Sequence, residues 1–251
     1  PIALQLWILN KIMWKTEEAS TTLRAVREIG YDGVEFAGFG GRSAGDIRTL
    51  LADAGLRGMG SHTSGIAQFT GDQLKRNLDF CAEAGIESLT NAWADFKTAD
   101  EWKKFGVTMG EAAETAVKWG IPVSVHNHCH EFTKVYDGVC AWDLIFSNAS
   151  PRLNQQIDTS QVVNPGLDCV ERIRKYSGRN FSCHMKENVP MKHGLPNDNG
   201  YFGVPPPDGR RERRRDAMSP AGHDRRLDLV AAALKKHKPV LDIPRRLERH
   251  R

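Results

Sequence analysis

Long apolar runs are missing from this chain of 251 residues. None approaches the length of a membrane-spanning helix, and the first residues lack the basic start and apolar core of a secretion signal. The five cysteines, Cys81, Cys129, Cys140, Cys169 and Cys183, are odd in number, widely spaced and free of any CxxC pair. That excludes a disulfide framework and predicts a reducing, cytoplasmic setting. No GxGxxG stands where a strand would turn into a helix, which removes the main support for a dinucleotide-binding fold. The net charge of +4 is modest but unevenly placed, with 11 arginines between Arg210 and Arg251. A basic tail can bind nucleic acid, yet no aromatic residue is interleaved with these arginines and no recognition motif accompanies them. Nucleic acid and membrane are therefore not expected partners.

What is present is a repeating alternation. Ile2–Trp7 reads as a strand, Glu17–Ile29 as an amphipathic helix with Leu23, Val26 and Ile29 on one side, and Val34–Ala37 as a second strand. Ser43–Ala54 follows as a helix ended by Gly55, then Leu56–Gly60 as a strand stopping at Ser61-His62-Thr63. Gln73–Ala84 is helical, Ile86–Thr90 a strand, and Ala99–Trp119 a long helix with a break expected near Gly110. Ile121–Val125, Leu153–Ile157 and Phe181–Met185 complete seven strands, with helices at Cys140–Ser147 and Asp168–Tyr176 between them. An eighth strand is expected at Pro239–Ile243, behind a helix at Leu227–Lys236. Strand and helix alternating over 251 residues predict one (β/α)8 TIM barrel with an irregular or incomplete eighth unit.

In such a barrel the C-terminal ends of the strands carry the chemistry. Read in order, those ends give Trp7, Glu35, His62, Trp93, the stretch His126-Asn127-His128-Cys129-His130-Glu131, Asp158, and His184-Met185-Lys186. Imidazoles and carboxylates are ligands for a divalent metal, and burying so many unpaired would be costly. Each residue also has a plainer reading. Asp158 can end a strand in a turn, His184 can be a satisfied interior histidine, and Glu35 can orient a neighbour or cap a helix. Lys186 can be a solvated charge, and Trp7 and Trp93 can be packing.

Several motifs resemble the xylose isomerase-like sugar phosphate isomerase/epimerase family. They are Gly33-Val34-Glu35-Phe36, Gly60-Ser61-His62-Thr63, His126 to Phe132, Gln156-Ile157-Asp158-Thr159, Val162-Val163-Asn164, Gly178-Arg179 and His184-Met185-Lys186. The resemblance covers roughly residues 1–190. It implies one divalent metal, Mn2+ by preference with Mg2+, Co2+ or Zn2+ as alternatives, held by Asp158, His184 and a donor after strand five. Many relatives carry Glu where this chain has His126, so either His126 binds directly or Glu131 reaches back; Glu131 is favoured. It further implies a sugar or keto-sugar substrate whose carbon next to the carbonyl loses a proton, giving an enediolate. Glu131, His126 and His128 are candidate bases. His62 and Lys186 are candidate hydroxyl or oxyanion contacts, and Glu35, Trp7 and Trp93 candidate substrate contacts. Isomerase or epimerase is the expected activity. A keto-sugar or keto-glycoside lyase or dehydratase, phosphodiester cleavage, or a catalytically impaired barrel are the alternatives, and a homo-oligomer remains open.

The resemblance stops near Tyr201. Segment 202–251 is atypical and Arg-rich, and where relatives end strand eight in a ligand Glu this chain offers only Asp242, one methylene shorter. The abrupt change in composition is what a shifted reading frame or a rebuilt terminus would produce. Translating the coding DNA in its other frames checks this: a family-like continuation is expected, and its absence from all frames overturns the idea.

Overall fold

The computed structural model describes residues 1–9 and 18–186. The proposed helix 227–236, the proposed strand 239–243, Asp242 and the whole segment 202–251 lie outside the described residues. Two compact units divide the chain. The first comprises residues 1–126 and 135–154, and the described part of the second comprises 127–134 and 155–186.

In the first unit five strands pair in chain order, all parallel: β1 (Ala3–Gln5), β2 (Gly33–Ala37), β3 (Arg57–Thr63), β4 (Leu89–Asn91) and β5 (Val123–His126). The helices between them are α1 (Glu18–Ile29), α2 (Ala44–Ala54), α3 (Gly71–Ala84) and α4 (Ala99–Ala116). Strand side chains alternate between faces. One face of the sheet carries Val34, Phe36, Leu89, Val123 and Val125, all buried. The helices supply matching stripes, Ile47 and Leu51 from α2, Leu74 and Leu78 from α3, Trp102, Phe105 and Met109 from α4. Each large apolar side chain so buried contributes about 1.5–3 kcal/mol. Helix starts and stops follow local chemistry. Ser43–Asp46 and Thr98–Glu101 form reciprocal capping boxes on α2 and α4. Their bonds to Ser43 and Thr98 hold both carboxyls below the usual range. Gly55 closes α2 in the left-handed conformation at φ 65°.

Helix α4 runs unbroken through Gly110, against the expected break. The reason is a close approach by α6 (Ala141–Asn148) and the turn that follows it. A Cβ on Gly106 would strike the Ile145 carbonyl oxygen, and one on Gly110 would sit 2.5 Å from the Ser150 backbone nitrogen. These two glycines, four residues apart, let backbone meet backbone. A short antiparallel hairpin, β6 (Val135–Tyr136) and β7 (Val139–Cys140), precedes α6. Its strands of two residues are too short for any sequence period to reveal.

The second unit holds α5 (His130–Thr133), β8 (Asn154–Asp158, from Gln155 onward), α7 (Thr159–Val163), α8 (Cys169–Lys175) and β9 (Asn180–His184). β8 and β9 are parallel, with Asp158 opposite His184. The seven expected strands are thus all present. Two boundaries differ in a way that matters. β3 continues through Ser61, His62 and Thr63 instead of stopping before them, because they keep pairing with Phe36, Ala37 and β4. Ile29, placed on the buried side of α1, is 74% exposed, and the buried stripe is Ala19, Leu23 and Val26. Ile29 falls in the last turn, next to the Gly30 bend. No helix among the described residues is long and apolar enough to cross a membrane.

Replacing Gly106 by Ala should destabilise the protein by about 1–3 kcal/mol through overpacking, although Ala is favoured over Gly in a helix by about 1 kcal/mol. Chemical denaturation of Gly106→Ala checks the sign; unchanged or raised stability would refute the close α4–α6 contact.

Candidate active site

The other face of the first unit's sheet is polar. Partnered residues on parallel strands point the same way, so the register places Gln5, Glu35, His62, Thr90 and Ser124 on one face, with His126 two residues beyond Ser124. The register slips between Val34 and Glu35, so Glu35 lies opposite Gly60 and Met59 becomes the extra residue of a bulge. The Met59 carbonyl accepts from the Ser88 hydroxyl at 3.0 Å. Glu35 then runs across Gly60 to reach His62, with Oε1 2.9 Å from Nε2 and both side chains nearly buried. Gly60 is required here: a Cβ would lie 2.7 Å from Ser88 Oγ and 3.3 Å from Glu35 Oε2.

Glu35 and His62 thus form a close pair within the polar face. The His62 and His126 rings are 5.0 Å apart, centroid to centroid, and a nitrogen of one lies within 4.8 Å of a nitrogen of the other. Glu35, His62 and His126 are therefore brought together, with Glu35 acting on His62.

Trp7 and Trp93 are placed alike. Trp7 is not a strand end but sits in the 3-10 turn Leu6–Leu9, and Trp93 lies two residues past β4. The backbone N–H of each donates to the side chain two residues earlier, Trp7 to Gln5 Oε1 at 2.7 Å and Trp93 to Asn91 Oδ1 at 3.2 Å. Both indoles remain about half exposed, 58% and 49%.

In the second unit Asn127 is fully buried and imitates a strand neighbour of Asp158. Its Oδ1 accepts from the Asp158 N–H at 2.8 Å, and its Nδ2 donates to the Asp158 carbonyl at 3.4 Å. Asp158 Oδ1 accepts from the Ser160 and Gln161 backbone and the Ser160 hydroxyl, capping α7. Thr159 Oγ1 accepts from the Lys186 N–H at 3.0 Å and shares its proton between the carbonyls of Lys186 and His184. The Asp158–His184 pair is thus fixed from both sides. Glu131 is turned to its own helical turn: Oε2 accepts from the His128 N–H at 2.7 Å, and Oε1 lies 3.3 Å from His130 Nε2. The His128 and His130 rings stack at 5.8 Å. Burial, with smaller contributions from Cys169 and Asp158, pushes the Cys183 thiol up to about 12.

Sequence reasoning missed Asn127 as a clamp, Gly60 as a space and Gln5 and Asn91 as anchors. The spacing of two that links Gln5 to Trp7 and Asn91 to Trp93 was the available signal. Gly60→Ala should push Ser88 and Glu35 aside and break the Glu35–His62 contact. The change should appear as a shifted His62 imidazole signal in nitrogen NMR; a spectrum matching wild type would sink this account of Gly60.

Residues 23–206 match the family model for the xylose isomerase-like TIM barrel. Among solved structures, a sugar phosphate isomerase/epimerase from Parabacteroides distasonis is similar at TM-score 0.66 and 20% identity, over 78% of this chain and 81% of that one. The 3-keto-D-glucoside 4-epimerase of E. coli gives TM-score 0.54 at 15% identity, over 78% and 83%. The IOLI protein with a zinc atom gives 0.56 at 13%, over 94% and 85%. No curated protein sequence matches the chain. At these identities the solved structures speak for the fold, while the family model spans most of the sequence. The chain belongs to the xylose isomerase-like TIM barrel family.

Proposed function

We propose that the chain is a divalent-metal-dependent isomerase or epimerase of a sugar or keto-sugar. One observation carries the reading: Asp158 and His184 stand opposite each other on parallel strands, locked by Asn127 and Thr159. A rigid carboxylate and imidazole on neighbouring strands suit the first two ligands of a divalent ion. Relatives in fold point the same way, since they include sugar epimerases and a protein with a zinc atom.

In this reading Asp158 and His184 hold the metal, and Glu131 supplies the third donor. Mn2+ is the preferred ion, with Mg2+, Co2+ or Zn2+ as alternatives. The bound ion would polarise the substrate carbonyl. The remaining work falls to the chain's own side chains. His126 removes the proton next to the carbonyl, with His128 and Glu131 as the other candidate bases. His62, held by Glu35, and Lys186 bind hydroxyl or oxyanion groups. Trp7 and Trp93 present flat apolar surface to the sugar's C–H face. Returning the proton to the other carbon isomerises, and returning it to the opposite face epimerises. Elimination after the same first step would make the chain a lyase; loss of mass from the product distinguishes that outcome.

Metal content of purified protein tests the proposal, beside Asp158→Asn and His184→Ala variants. Asn keeps an acceptor for the α7 cap while losing the charge, so loss of metal is separable from loss of fold. Near-stoichiometric divalent metal, absent from both variants, and metal-dependent deuterium uptake from solvent into a keto-sugar are expected. Protein that neither contains divalent metal nor takes up Mn2+ would overturn it. Metal retained in Glu131→Gln but lost in His126→Ala would move the third donor from Glu131 to His126.

A further inference from the structure

On the helix side of the sheet, the first unit has a cavity of about 290 Å3. It lies between the loop after β2, the C-terminal end of β3 and one flank of α3. Its wall is mainly apolar, with Leu89 on the strand side and the Phe39 and Phe80 rings in contact, centroids 4.4 Å apart. Small-molecule pockets share this make-up of apolar walls and a few placed polar groups, and range over roughly 300–1,000 Å3. Three polar groups on the wall lack partners. Ser61 is only 1% exposed, yet its hydroxyl bonds to no described residue. Thr63, two residues on and so on the same face, also has an unbonded hydroxyl. Buried polar groups are almost always satisfied, so an unbonded hydroxyl facing a cavity points to something bound there. The Arg76 guanidinium is held by Gln73 Oε1, 3.3 Å from Nε and 2.7 Å from Nη2. No carboxylate among the described residues pairs with it; Asp72, one turn back, is engaged by Lys75 at 3.0 Å. Of the polar-face residues only His62 borders the cavity, because Ser61 and Thr63 alternate away from that face.

We propose that this cavity is a second small-molecule site, for an aromatic carboxylate that carries a hydroxyl across the ring. Charge and shape set the class. Gln73 takes the Nε–Nη2 edge of Arg76, and the Nη1–Nη2 edge is left to receive a carboxylate through two parallel hydrogen bonds. Arg76 and Gly38 are exposed whereas Ser61, Cys81 and Leu89 are buried, so the carboxylate sits at the mouth and the ring points inward. Phe39 and Phe80 offer flat apolar surface to that ring. At the inner end the Ser61 hydroxyl meets a group that can both donate and accept, as a phenol does. Thr63, nearer the strand's end, bonds the carboxylate. The two hydroxyl-bearing positions are about 6.6 Å apart along the strand, close to the span of a ring substituted at both ends. An inorganic anion would satisfy Arg76 but leave the apolar wall and Ser61 without a contact. The site needs neither metal nor proton transfer and does not rest on the isomerase reading.

Calorimetric titration of the full chain with para-hydroxybenzoate, benzoate, para-hydroxybenzyl alcohol and inorganic phosphate tests the site. para-Hydroxybenzoate should bind best. Benzoate, lacking the phenol, should be weaker by about 3–10-fold, the worth of one neutral hydrogen bond. The alcohol, lacking the charge, should be weaker by about tenfold or more. Arg76 is exposed, so Arg76→Gln removes the charge without touching the core, and it should bring para-hydroxybenzoate down to the level of the alcohol. Ser61→Ala should bring it down to the level of benzoate. His184→Ala, in the other unit, should leave every affinity unchanged. No binding at millimolar probe, or binding indifferent to Arg76→Gln, overturns the site. Phosphate binding as tightly as the aromatic acids overturns the ligand class, and equal affinity for benzoate and para-hydroxybenzoate overturns the part given to Ser61. Binding lost in His184→Ala would place the probe in the candidate active site instead and refute a separate cavity.

Discussion

Shared register across β2, β3, β4 and β5 is the constraint on which the site in the first unit depends. One offset of the chain at Met59 decides that Glu35 faces Gly60, and the unbroken pairing of β3, β4 and β5 puts His62, Thr90 and Ser124 in a single row. A slip by one residue in any of these strands would exchange the polar face for the apolar one. The same apolar face that α2, α3 and α4 cover therefore holds the histidines in place. Packing energy and chemical placement are two sides of one sheet, and neither can be altered alone.

The second unit solves its problem differently. A strand end has backbone groups to satisfy and side chains to aim, and here side chains do part of the backbone's work. The Asn127 amide pairs with the Asp158 backbone as another strand would, and the Thr159 hydroxyl does the same for the run from His184 to Lys186. The polar stretch from His126 to Glu131 thus divides its labour. Asn127 clamps, Glu131 ties down its own turn, and His126 belongs to β5 and to its histidine partner within the first unit.

Much of this was legible in the sequence, for physical reasons that differ by element. Buried strands such as Val123–His126 and capped helices such as Ala44–Ala54 announce themselves, because apolar runs and Ser/Gly boundaries are local facts. Residues that end strands were found for the same reason. What stayed hidden depends on partners far along the chain. Gly110 looks like a helix breaker until Ser150 is seen against it, and Gly60 looks like punctuation until Glu35 lies across it. Thr90 and Ser124 are ordinary strand residues until register aligns them with His62. Ile29 fits a helical stripe by count alone, yet the helix has already run past its support.

The contact between α4 and α6 is written in absences, and that makes it one-sided. On the α4 side, positions 106 and 110 admit only hydrogen as a side chain, because a carbonyl oxygen and a backbone nitrogen occupy the place of any Cβ. The opposing surface is backbone, and every amino acid brings the same carbonyl and nearly the same nitrogen. Residues 145 and 150 touch the glycines through backbone atoms that no substitution removes. The steric demand of the contact thus falls on the side chains of one wall alone, because the facing wall meets it with backbone that every residue brings.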